Sequence, residues 1–305
     1  MALGQSTDAA ITGTVRDSSG AVIAGAKVTA ENKNTGVILK STTNSTGLYS
    51  FPTLAPGEYR LSAESSGFSK AVLDKITLTV GARLTFDLAL ALGQSTEVVE
   101  VSADGKLDLA YATSTVGGTV ESKRILELPL TSRSVLGFTT LQAGTVGSNF
   151  SGARIGTLNI QVDGVNVQDG RINSGVASTL LLSVDRIEEI RIVTSPADAE
   201  FGRGSGQIQT ITRSGTNEFR GSLFEFHRNT ALNANTWFNN FQGSNAAGQP
   251  LAPRNILIRN QFGGRIGGPV MIPKLYNGKN KTFFHFLYEG QRHREKGCLL
   301  YTSDA

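Results

Sequence analysis

Few side chains in this sequence are placed to do covalent chemistry. Gly202-Arg-Gly-Ser-Gly206 has the glycine density of a phosphate-cradling loop. It lacks a Walker lysine and leads into a β-rich run, whereas a phosphate loop opens a helix whose N–H groups meet the anion. Ser134 and Asp163 could serve as nucleophile and orienting acid of a hydrolase. No Gly-x-Ser-x-Gly elbow surrounds the serine, and all three histidines lie beyond residue 226. His227, His285 and His293 are too scattered for a metal motif. The one cysteine, Cys298, excludes an intramolecular disulfide and a four-thiolate zinc site. No catalytic residue, cofactor or metal is expected, and the chain does not read as an enzyme.

The charges exclude another class. Lys and Arg number 29 against 25 Asp and Glu, for a net +4, with no cluster dense enough for nucleic acid. Hydrophobic residues make up 39% of the chain and charged residues 18%, with 35 glycines, a balance that suits short strands and turns. No apolar run reaches the ~18 residues of a membrane helix, and a β-barrel would leave no such run. The most informative stretch is Ile187 to Asn217. It reads as strand, loop, glycine-rich turn, strand and a Ser-Gly-Thr-Asn exit.

The elements around it fall into three regions. In residues 9–92, turn signals recur at Asp17–Gly20, Asn32–Gly36, Asn44–Gly47, Pro56-Gly57 and Ser65–Gly67. Between them lie β-rich runs at 11–15, 26–30, 37–42, 48–51, 59–64, 76–80 and 84–92. Ile11, Gly13 and Val15 share one face of the first run, the period of a half-buried strand. Seven short strands in ~85 residues suit a Greek-key β-sandwich. Residues 104–214 are mixed. Glu121–Leu128 predicts a short helix stopped by Pro129, and Ser134–Leu141 a second. Asn159–Val167 predicts a hairpin around Asp163-Gly164. Strands are expected at 187–193 and 206–213.

Aromatics thicken after residue 218. Phe219, Phe224, Phe226, Phe238, Phe241, Phe262, Phe283, Phe284 and Phe286 are nine of the 15 phenylalanines, and Trp237 is the only tryptophan. Phe224 and Phe226 alternate with Glu225 and His227, Phe262 and Ile266 with Gln261 and Arg265, and Phe284, Phe286 and Tyr288 with His285 and Glu289. Apolar on one face and polar on the other suits transmembrane barrel strands. Asn229–Pro253 and Pro269–Asn280 read as loops.

These residues carry two resemblances. GTVRDSSGAVIAGAKVTAENKNTG with Gly47-Leu-Tyr49, Leu54-Ala-Pro-Gly57-Glu-Tyr59 and Gly67-Phe68 resembles the carboxypeptidase-regulatory-like (Cna-B-like) sandwich. The resemblance implies that Tyr49, Tyr59 and Phe68 fill a core. No exposed aromatic platform for a glycan is evident. Val162-Asp-Gly-Val165 together with Ile187–Asn217 resembles the plug domain of TonB-dependent outer-membrane transporters. Asp163, Gly164, Pro196, Phe201, Gly202 and Gly206 keep the plug motif's frame. Thr194, Ser195 and Gln209 replace the arginine, glycine and asparagine of the commonest plugs, which resembles the Oar-like branch more than siderophore receptors.

The resemblance implies an organisation and a mechanism. The sandwich spans 9–92, a linker 93–103, the plug 104–214 and the start of a barrel 215–296. Glu97, Val98, Val99, Glu100 and Val101 stand where such transporters carry the TonB box, an extended segment able to add to a partner's sheet. A final sandwich strand is the other reading of that run. The implied partners are TonB, with ExbB and ExbD, outer-membrane lipid and an extracellular substrate. The implied activity is uptake across the outer membrane of a Gram-negative bacterium, energised by the inner-membrane proton-motive force, with the sandwich in the periplasm. A barrel of this class has ~22 strands, and three are all this tail could hold, so residues 218–296 are expected to aggregate or be disordered in water. The first residues show no signal peptide. Gly297–Ala305 resembles translated adapter sequence and reads as foreign. The alternative is an adhesion or carbohydrate-binding protein that uses the sandwich.

Overall fold

The computed structural model describes residues 8–93, 98–100, 116–128, 130, 133–147, 149–154, 157–169, 171, 176–180, 182–195, 204–252 and 254–296. The chain is mainly β. One compact unit takes in Met1–Glu218 with Pro269–Phe284, the other Phe219–Gly268 with His285–Ala305.

The first region is a two-sheet sandwich. Its strands are β1 (Ala9–Asp17), β2 (Lys27–Asn32), β3 (Ile38–Thr42), β4 (Leu48–Leu54), β5 (Gly57–Glu64), β6 (Lys70–Leu78), β7 (Arg83–Thr85) and β8 (Leu88–Leu90). In one sheet β1 lies antiparallel to β4 and parallel to β7 and β8. The other runs β3-β2-β5-β6 and ends on a ninth strand, β9 (Val98–Glu100). Alternation buries Ile11 and Val15 of β1 against Val28 and Ala30 of β2, Leu61 of β5 and Leu73 of β6 in the facing sheet, all in one core. Tyr49 and Tyr59 are buried in it and Phe68 packs against it. The Tyr49 hydroxyl donates to the Phe86 carbonyl at 2.6 Å, and the Tyr59 hydroxyl to that of Ala55 at 2.9 Å, so each ring buries its body and satisfies its polar tip. The single run expected at 84–92 divides in two. Asp87, between the halves, accepts the Thr14 N–H at 2.7 Å. The strand expected at 76–80 begins earlier, at Lys70.

The second region is a five-stranded sheet ordered β10-β15-β16-β13-β14. The strands are β10 (Val116–Glu121), β13 (Leu158–Val162), β14 (Val165–Asn166), β15 (Ile187–Ser195) and β16 (Gly206–Thr212). A small hairpin, β11 (Thr145–Val146) with β12 (Asn149–Phe150), accompanies it. Helix α1 (Ser122–Glu127) forms where the first helix was expected. The second expected helix is a 3₁₀ segment, Val135–Leu141. Thr139 and Thr140 each turn their hydroxyl onto the carbonyl three residues back, which favours the tighter winding. The core joins Ile125, Val135, Phe138 and Phe150 to Ile160, Ile190, Ile192 and Ile208 of the sheet.

The third region is a three-stranded sheet, β17 (Arg220–Asn229), β18 (Ile256–Pro269) and β21 (Phe283–Lys296), ordered β17-β18-β21 and not closed. A one-turn helix, α2 (Trp237–Phe241), lies between β17 and β18. A two-residue pair, β19 (Met271–Ile272) with β20 (Tyr276–Asn277), lies between β18 and β21. The pairing corrects one expectation about its faces. Phe224 and Phe226 stand opposite Gly263 and Gln261, while Glu225 stands opposite Phe262. Directly paired residues share a face, so β17 puts its phenylalanines with Gln261 and Arg265. The close approach of Gly290 to the Phe262 ring puts Phe284, Phe286 and Tyr288 on the other face by the period of two. That face, with Phe262, Ile266 and Leu223, is the more apolar. Glu225 and His227 interrupt it.

Candidate partner strand and plug face

The run expected to meet a partner is partly described. Val98, Val99 and Glu100 form β9, which lies parallel to β6 with Val98 opposite Lys70, Val99 opposite Ala71 and Glu100 opposite Val72. Glu97 and Val101 lie outside the described residues. Val98–Glu100, within the segment expected as a linker, is therefore extended and forms the last strand of the sandwich sheet.

The plug-motif residues divide similarly. Pro196, Phe201 and Gly202 lie outside the described residues. Asp163 and Gly164 form the turn between β13 and β14, both with positive φ, 49° and 81°. That pairing is the tight hairpin turn for which Asp-Gly is suited. Asp163 does more than turn the chain. Its carboxylate accepts the Thr212 N–H at 2.9 Å and the Thr212 hydroxyl at 2.8 Å, fastening the turn to the end of β16. Gly206 begins β16 opposite Leu158. A Cβ there would stand 2.6 Å from the Phe150 ring, so packing requires glycine. Asp163 and Gly206 thus belong to one sheet, at different ends of the β13–β16 pair, while β9 belongs to another. No single pocket gathers the predicted residues.

Register gives the five-stranded sheet of the second region two unlike faces. Ile160, Ile190, Ile192 and Ile208 point into the core. Asn159, Gln161, Arg191, Gln207 and Gln209 take the other face. Gln161 and Gln209 are almost wholly buried, and their side-chain oxygens lack a hydrogen bond. Onto this face comes the turn at 79–82 of the sandwich. Glu189 accepts the Val80 N–H at 2.7 Å, and Arg191 reaches the Gly81 carbonyl at 3.4 Å. Loss of water raises the Glu189 pKa from 4.5 to about 7. The Val80 N–H offsets part of that rise, Glu121 and Glu188 add to it, and Arg191 opposes it. Nearby, Arg213 bonds Glu188 at 2.6 Å and the Ser122 hydroxyl at 2.7 Å, joining the end of the plug to β15 and α1.

Sequence reasoning missed Glu189 and the 79–82 turn. A β-bulge between Ile187 and Glu189 shifts the register and buries the second of two adjacent acids, which simple alternation would not choose. The Glu-Glu pair inside an isoleucine-rich strand was the available signal. Among the described residues no group of His, Cys, Asp and Glu could hold a metal ion.

Comparison with known proteins adds to this geometry. A carboxypeptidase regulatory-like domain matches residues 10–91. An outer membrane beta barrel domain matches 211–303, ending inside the stretch that reads as foreign. The TonB-dependent transporter Oar of Myxococcus xanthus is 27% identical over 250 residues, covering 77% of this chain. The chain is homologous to the TonB-dependent transporter Oar. It spans 22% of that relative's length. Likenesses to solved structures are weaker. A putative carbohydrate binding protein from Bacteroides uniformis is 18% identical over 27% of this chain and 41% of its own, with a TM-score of 0.24. Hydroxyquinol 1,2-dioxygenase from Pseudomonas putida is 10% identical over 30% and 59%, also at 0.24. At these TM-scores neither carries an argument about fold or activity.

Proposed function

We propose that this chain is part of an active outer-membrane transporter, taking up a large or scarce substrate and energised through TonB. The Oar match over 77% of the chain, with a barrel-domain match over residues 211–303, carries this reading. The open sheet of β17, β18 and β21 fits it. A barrel in lipid needs an apolar outer face and further strands to complete its hydrogen bonding. The chain is no enzyme on this reading, and the transporter sits in the outer membrane with its sandwich and β9 in the periplasm. The partners are TonB, acting with ExbB and ExbD, and the segment from Glu97 to Val101 is the TonB contact. An extended strand meets a partner's sheet through main-chain bonds and makes few demands on side chains. No observation favours the adhesin alternative over this one.

Val99→Pro tests the contact, because proline removes a backbone donor from the middle of the strand. In the full-length transporter the variant is expected to lose cross-linking to TonB while still reaching the outer membrane. Unchanged cross-linking would exclude this segment as the contact.

A further inference from the structure

The strand that meets the partner is not a loose tether. It closes a sheet. β6 is paired with β5 on one side through Gly57–Ala63, and on its other side it pairs with β9 through Lys70–Val72. Without β9, that stretch of β6 would be an unpaired edge, a row of N–H and C=O groups that invites other strands. With β9 in place the edge moves outward by one strand. The sheet order β3-β2-β5-β6-β9 leaves β9 paired on one side only among the described residues. Two facts therefore coexist at Val98–Glu100. The backbone is already extended, and among the described residues one of its two hydrogen-bonding edges carries no strand.

We propose that the sandwich presents β9 as a landing edge, so that the partner's strand adds to its open side and the sandwich sheet continues into the partner. This rests on the reading of the segment as the TonB contact, and it assigns the sandwich a role in that contact. A free segment must be ordered when it binds, and that ordering opposes association. A segment held on β6 has met this cost on folding. The alternative arrangement is sequestration, in which β9 must leave β6 before the partner can take it. That edge favours presentation, because addition there breaks no pair among the described residues. β9 is only three residues long, and so short an edge gives little purchase to indiscriminate strand pairing. A second copy of this chain is the competing occupant of the same edge.

A reversible tether separates these arrangements. Lys70 and Val98 stand directly opposite across β6 and β9, and adjacent strands lie within the Cα separation a disulfide accepts. Lys70→Cys and Val98→Cys are placed together in the full-length transporter, with every other cysteine replaced by serine. Binding of the purified periplasmic domain of TonB is then measured in detergent, oxidised and reduced. Presentation predicts that oxidised protein binds within about threefold of reduced protein. A loss of about tenfold or more on oxidation, restored by reductant, would show that β9 must leave β6 and would overturn the proposal. Val99→Pro is measured in parallel. If it leaves binding unchanged, the segment is not the TonB contact, and the proposal falls with that reading. If Val99→Pro abolishes binding and oxidation does too, the reading stands and presentation fails. Sedimentation without TonB checks the remaining occupant. A dimer that TonB cannot dissociate, and that Val99→Pro dissolves, would assign the edge to a second copy and overturn the proposal.

Discussion

The sandwich and the β17-β18-β21 sheet use the same local grammar and end differently. In both, apolar residues alternate with polar ones along short strands. In the sandwich, Ile11, Leu54 and Leu61 are 0% exposed because a second sheet faces them. In the three-stranded sheet, Leu223 is 91% exposed, Phe286 60% and Tyr288 58%. Alternation thus announces a face that needs cover without saying whether protein or lipid supplies it. The sandwich closes on itself, whereas the later sheet keeps its apolar face outward.

The largest effect should come from the sandwich core. Leu61→Ala removes a fully buried side chain, and such truncations cost about 2–5 kcal/mol. Phe286→Ala in the open sheet should cost far less in water, since most of that ring is already wet. Amide hydrogen exchange across β2 and β5, compared with β18 and β21, reads both. Equal losses in aqueous solution would break the contrast, because they would mean that Phe286 is covered.

The contrast should invert in lipid. Phe286→Arg is expected to change stability in water by less than about 0.5 kcal/mol, as surface substitutions do. In the full-length transporter folded into vesicles it should cost about 2–4 kcal/mol if the residue lies near the bilayer midplane. Urea unfolding from vesicles measures this. An unaffected midpoint would place that face away from lipid. The apolar face Phe286 shares with Phe262, Ile266 and Leu223 would then need another cover.

A third, smaller test concerns how the sandwich keeps its own polar atoms satisfied. Tyr49→Phe preserves the ring and removes the 2.6 Å bond to the Phe86 carbonyl. Leaving that acceptor without a partner should cost about 1–3 kcal/mol. Thermal unfolding would show the loss, and an unshifted transition would mean that water replaces the hydroxyl.

Much of this contrast was legible in the sequence. The turn signals located most sandwich strands to within a few residues, except that β6 begins six residues before the run expected at 76–80 and the run expected at 84–92 divides in two. The Asp163-Gly164 dipeptide gave its hairpin, because few other pairs accept positive φ at both positions. The aromatic alternation after residue 218 gave three strands. What was not legible depends on register. Nothing local says that β17 pairs so that Phe226 faces Gln261, since a one-residue slip flips every side chain. Nor does local pattern reveal that Val98–Glu100 pairs with Lys70–Val72, because parallel pairing across a long separation leaves no periodic trace. Asp163 and Gly206 were singled out by their motif and fall into one sheet, whereas Glu189 and the 79–82 turn carried no motif.

Glu189 marks the limit of the sandwich's self-sufficiency, and its effect should be the smallest and the most specific. The turn at 79–82 places a backbone N–H on a plug carboxyl with a pKa of about 7, against 4.5 when the group is free in water. The raised value, caused by burial, means that the folded state holds the proton more tightly than the unfolded one. The stability this group contributes is therefore fully present below the free pKa, is lost as pH rises between 4.5 and 7, and levels off above 7. From pH 6 to 7.5 the weakening amounts to about 1 kcal/mol, since a tenfold difference in proton affinity is worth about 1.4 kcal/mol. Hydrogen exchange at the Val80 amide in the full-length protein should become faster across that range. Glu189→Gln keeps an acceptor of the same shape and cannot ionise. It should exchange at a rate independent of pH once the intrinsic base dependence is removed. If the wild-type amide follows only that intrinsic dependence, the carboxyl does not titrate in the contact. The sandwich would then be indifferent to the plug beneath its turn, and as closed on itself as its core suggests.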